Sequence, residues 1–192
     1  LPTEVLFSLW FFALFARFQD VVAGSFGMDI RRMPVYGTHL YVAYQTVGAY
    51  FVLAAYLLWA ARPHLKRVVA SAFGRERVDD SREMLPYPVA FWGLFGSLVL
   101  IVLWTWKAGL SPAVALLEFG VCLFVVALVL ARSTAEAGVL MTETSFRPVD
   151  VYRMFAPMSS LGAQNLALLP FFDTVFLREQ RGLLLTGFLD GL

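Results

Sequence analysis

Residues 39–61 and 89–106 each run without one formally charged side chain. Uninterrupted apolar stretches of this kind constrain a chain more than any motif. The hydrocarbon core of a bilayer is about 30 Å thick, and an α-helix crosses it in roughly 17–25 residues. Hydrocarbon offers no water to peptide N–H and C=O groups, so a crossing segment must satisfy them internally, as a helix does. Composition agrees. The 192 residues are 59% hydrophobic and 15% charged, whereas a soluble domain is about 45–50% apolar and about 25% charged. An ordinary cytosolic domain, a disordered tail and a nucleic-acid binder are thereby excluded. A net charge of +1 gives no field to attract a polyanion.

Four runs are long enough to predict transmembrane helices: 2–18, 39–61, 89–106 and 112–131. The first is barely long enough and ends near Arg17, with a loop expected over 19–38. The last two are joined by the short Lys107–Leu110 turn, with Ser111 as N-cap and Pro112 at the first helical position. Between the second and third runs lies a polar loop, 62–87, whose first part, Pro63–Phe73, is expected to lie as an amphipathic helix on the membrane surface. After Arg132 the chain turns polar, and Asp150 is a candidate cap for a short helix ending near Ser160. The stretch 161–177 is apolar but broken by Gly162, Gln164, Asn165, Pro170 and Asp173, so it either spans or re-enters. The fold expected is an all-α polytopic membrane bundle: four transmembrane helices and a broken or re-entrant C-terminal element in a single membrane domain over 1–192. The chain begins at Leu1 and ends without a polar tail, and is read as a piece of a longer protein. Loop 62–87 carries six Lys and Arg, against two in 19–38 and one in 107–111. The positive-inside rule therefore puts 62–87 in the cytoplasm.

Candidate chemistry is sparse. Glu118 sits in an otherwise apolar run. A carboxylate at the bilayer centre costs roughly 2.5–3.5 kcal/mol even on the lenient insertion scale, so it must face protein or water, be paired, or be protonated. It is either a proton- or cation-coupling site or a structural link to a neighbouring helix. Arg132 and Glu136 are spaced as i,i+4 neighbours, suited to a surface ion pair or to a gate that clamps a substrate carboxylate. Gln164, Asn165 and Asp173, around Pro170, mark either a wall of a polar site or an interfacial hairpin. Gln45 and Thr46 are expected to tie helices together. His39 and His64 are isolated from each other, and Cys122 is a lone thiol in an apolar run. No metal, cofactor or enzymatic nucleophile–base set is expected.

Three stretches carry a resemblance: Leu1-Pro-Thr-Glu-Val-Leu-Phe-Ser-Leu-Trp-Phe-Phe12, Leu130-Ala-Arg-Ser-Thr-Ala-Glu-Ala-Gly138 and Leu185-Thr-Gly-Phe-Leu-Asp-Gly-Leu192. With the hairpin between them, the chain resembles part of a family of large, uncharacterised bacterial and archaeal polytopic membrane proteins, distantly akin to the oligopeptide transporter superfamily. The most specific element falls on Arg132, Ala135, Glu136, Ala137 and Gly138; Val139-Leu140 stand where that family usually has a proline. The resemblance implies a prokaryotic plasma membrane. The function expected is transport of a small polar or peptide-like solute by alternating access, with Glu118 sensing protons or cations. The alternative is a non-catalytic membrane subunit or scaffold. Expected partners are the lipid bilayer, other helices of a longer chain and partner membrane subunits, with no nucleic acid.

Overall fold

The computed structural model describes residues 3–28, 31–33, 38–75, 78, 80, 83–137, 144 and 146–172. Among them the architecture is all-α, with four helices long and apolar enough to cross a membrane. They are α1 (Thr3–Ser25), α2 (Leu40–Ala60), α4 (Tyr87–Lys107) and a composite helix covering Pro112–Glu136. The composite consists of α5 (Pro112–Val121), a π-helical segment (Cys122–Ala127) and α6 (Leu128–Ala137). Three of the four helices match the expected runs closely, and α6 continues more than a turn and a half beyond residue 131.

Helix α1 extends a full two turns past the expected end at residue 18, to Ser25. The polar residues read as the start of a loop do not break it because their side chains are held from the next helix. Gln19 Nε2 donates to Gln45 Oε1 at 3.1 Å. The Asp20 carboxylate accepts from the Tyr41 hydroxyl and lies 2.6 Å from His39 Nδ1. At 1.5 Å per residue, the 23 residues of α1 reach about 34 Å, enough to cross the hydrocarbon. The helix stops at Gly27, whose φ of 63° lets Met28 N–H bond back to Ala23 C=O at 3.0 Å. This closes the free carbonyls of the last turn.

The expected surface helix is present as α3 (Arg62–Ala72), turning off the end of α2 at Ala61. It packs against the start of α4. Trp92 Nε1 donates to the Ala72 carbonyl at 3.1 Å, and the Phe73 and Trp92 rings meet edge-on at 5.4 Å. Helix α3 therefore lies where one span leaves the membrane and the next enters it.

The composite helix forms the centre. Helix α2 packs along it through Ala54, Val125 and Val129, and α4 lies antiparallel to it across the Lys107–Ser111 turn. Gly109 makes that turn at φ 103°, with Leu110 N–H bonded to Thr105 C=O at 2.9 Å. Among the described residues the C-terminal part has no helix long enough to span. It comprises the single turn α7 (Asp150–Arg153), a 3₁₀ turn (Met158–Leu161) and α8 (Ala163–Phe172). The ten described residues of α8 are about 15 Å long. The interruption at Gly162, φ 83°, is the break the sequence signals. The helix expected to run from Asp150 to near Ser160 ends at Arg153, and Val149 rather than Asp150 occupies its cap. The segment 173–177 lies outside the described residues.

Candidate functional site

Helix α5 buries one face, made of Val114, Ala115, Glu118 and Phe119, at the i, i+1, i+4, i+5 spacing of a helical stripe. Glu118 is wholly buried on that face, about 9 Å along the helix from Pro112. Four residues further on, the helix passes into the π segment Cys122–Ala127. Such π insertions recur at functional sites because they re-aim side chains without ending the helix.

Opposite this face runs a non-helical stretch of backbone. Phe146 packs edge-on against Tyr50, in the middle of α2, with ring centroids 5.3 Å apart. Phe146 shares a core with Val47, Val126 and Leu130, while Val149 shares another with Val114, Ala115 and Phe119. Residues 146–149 thus thread between α2 and the composite helix, with Val149 beside Leu110 of the hairpin turn and the first turns of α5. Within a membrane, irregular backbone is tolerated only where protein or a water-filled cavity surrounds it.

That stretch carries a buried ion pair. Arg147 donates from Nε to Asp150 Oδ2 at 3.1 Å and from Nη2 to Asp150 Oδ1 at 2.9 Å, a two-pronged guanidinium–carboxylate contact. The Arg147 backbone N–H also reaches Asp150 Oδ2, at 2.9 Å. Asp150 is fully buried, and the Arg147 side chain is 12% exposed. Sequence reasoning missed Arg147 and gave Asp150 only a capping role. The signal available was a basic and an acidic residue three apart, flanked by Phe146, Val149 and Val151.

The other predicted residues fall elsewhere. Arg132 and Glu136 form an ion pair on the last turns of α6, with both side chains more than half exposed. Arg132 is 14 positions beyond Glu118, about 21 Å along the helix, so the two do not share a site. Gln164 and Asn165 act together at the opposite end. Asn165 Oδ1 accepts from Ser111 N–H at 2.8 Å, and Asn165 Nδ2 donates to Leu161 C=O at 2.6 Å. Gln164 lies directly over Gly109, where a Cβ would collide with it. Both side chains therefore clasp α8 onto the hairpin turn. Asp173 and Gly138 lie outside the described residues, as does the 185–192 stretch. The Gln19–Gln45 bond fulfils the expected tying role of Gln45, whereas Thr46 bonds within its own helix, to Val42 C=O at 3.0 Å. Among the described residues no group of three or more His, Cys, Asp and Glu converges to hold a metal ion.

No curated protein and no solved structure shows significant similarity to the chain. One family model matches it, over residues 1–192, and that family is described as one of unknown function. A match over the full length, joined to four apolar helices long enough to span, makes the chain a member of the uncharacterised family of unknown function DUF6785.

Proposed function

We propose that the protein transports a small polar or peptide-like solute by alternating access, with Glu118 as the proton- or cation-coupling residue. The observation that carries this reading is the buried stretch 146–150. It brings unwound backbone and a buried Arg147–Asp150 pair to the composite helix, beside the face that bears Glu118. Interrupted segments of this kind line the substrate and ion sites of secondary transporters, because their free N–H and C=O groups and inward charges can replace water around a polar cargo. In this reading Arg132 and Glu136 act at the cytoplasmic mouth, loop 62–87 is cytoplasmic, and the membrane is a prokaryotic plasma membrane. The distant kinship to oligopeptide transporters belongs to the same proposal.

Uptake into proteoliposomes tests it. The full chain is reconstituted and assayed with a panel of labelled dipeptides and small polar solutes under an imposed pH or sodium gradient. Wild-type vesicles should accumulate a solute above empty vesicles, and Glu118→Gln should abolish gradient-driven accumulation while leaving exchange measurable. Equal accumulation by the variant would remove Glu118 from the coupling role.

A second reading is a non-catalytic membrane subunit. It is favoured by α1, whose Phe7, Leu9, Trp10, Phe12, Leu14 and Phe18 are all exposed along the helix. Co-purification of a stoichiometric membrane partner, together with no flux for any solute, would favour it.

A further inference from the structure

We propose that the outer face of α3 binds an acidic phospholipid of the leaflet on which it lies. A groove of about 370 Å³ runs along this helix, lined among others by Arg62, Leu65, Lys66, Val69, Phe73 and Arg75. The five positions from 62 to 73 fall at i, i+3, i+4, i+7 and i+11, so they form one stripe of the helix. Arg75 follows just after the turn at Gly74, whose φ is 69°. The stripe is chemically divided: three cations rim it, and exposed Leu65, Val69 and Phe73 make its floor.

Two features match this face to a lipid rather than to a soluble acidic protein. Its place is the first. Helix α3 sits between the end of α2 and the start of α4, with Trp59, Tyr87 and Trp92 around it, so the groove lies at headgroup level. Its charge is the second. Among the described residues none of Arg62, Lys66 and Arg75 enters an ion pair, and Arg62 rests over the Trp59 ring at 4.5 Å, keeping its charge at the interface. A phosphate at the cationic rim would leave an acyl chain to cover the apolar floor. Zwitterionic lipid offers the same chain with no net charge.

The full chain in mild detergent is titrated with phosphatidylglycerol or phosphatidylcholine, and bound lipid is counted by native mass spectrometry. Phosphatidylglycerol should be retained preferentially. Each cation removed should lower that preference about fivefold, and Arg62→Gln/Lys66→Gln/Arg75→Gln together on the order of a hundredfold. Lys107→Gln, at the far end of α4, should leave it unchanged. Arg75→Gln alone lies beyond the helix end, so it reports on lipid even where the triple variant folds poorly. Equal retention of the two lipids by the wild type overturns the proposal. So does an unchanged preference in Arg75→Gln and the triple variant. Binding of soluble polyglutamate that displaces phosphatidylglycerol would reassign the face to an acidic protein.

Discussion

The side chain with the largest predicted consequence for folding is Asp150. It is fully buried and holds the Arg147 guanidinium in a two-pronged contact as well as that residue's backbone N–H. Removing one partner of a buried pair leaves the other charge uncompensated, which typically costs about 3–5 kcal/mol, whereas replacing both with apolar groups of similar volume is often neutral. Asp150→Ala should therefore lower the detergent-solubilised unfolding midpoint sharply. Arg147→Met/Asp150→Leu should recover most of the loss. Thermal denaturation followed by the exposure of Cys122 to a thiol dye reads both. The pair is also a test of purpose. If it serves only the fold, the double variant keeps transport; if it serves the pathway, the double variant is stable and inactive.

At the scale of elements, a lightly fastened join is α8 against the α4–α5 hairpin. Its polar fastening is Asn165, which accepts from Ser111 and donates to Leu161, backed by Leu169 and Phe172 in the core. Asn165→Ala leaves a backbone donor and a carbonyl without those partners, a loss of about 1–3 kcal/mol where both are buried. The expected outcome is faster amide exchange at Ser111 and through α8, with α2 and its contacts unchanged. Equal exchange in the variant would assign the join to Leu169 and Phe172 alone. Elements also show what a one-dimensional reading can reach. The spans at α2, α4 and α5–α6 were legible because a long apolar run has few folded solutions. The two extra turns of α1 were not, because the partners that keep Asp20 and Gln19 in a helix, Tyr41, His39 and Gln45, lie some twenty residues away. Glu118 was legible as a charge in an apolar run. The Arg147–Asp150 pair was not, since nothing local distinguishes it from a solvated i,i+3 pair; its burial depends on Tyr50, Val114 and Phe119, distant in sequence.

For the whole molecule the governing question is which solvent meets which surface. The outward faces of α1, α2 and α4 carry Phe12, Val52, Phe95 and Leu100, which are between 56 and 72% exposed, so an apolar medium is favourable for them and water is not. Once those helices cross, connectivity sets the sides. Four crossings put Thr3, the 73–86 connection and the end of α6 on one side, with the Phe26–His39 connection and the Lys107–Ser111 turn on the other. The orientation proposed from the Lys and Arg near the ends has the first group in the cytoplasm. In a Cys122→Ser background, Met84→Cys and Ala108→Cys make the cleanest pair of reporters: Met84 is 86% exposed, and Ala108 caps α4 at the turn. In intact cells a membrane-impermeant maleimide should label the cysteine at 108 and spare the one at 84, which becomes reactive only after lysis. The reverse pattern would invert the protein while keeping its four crossings. Labelling of both positions in intact cells would break the alternation itself, and with it the premise that α4 crosses the bilayer.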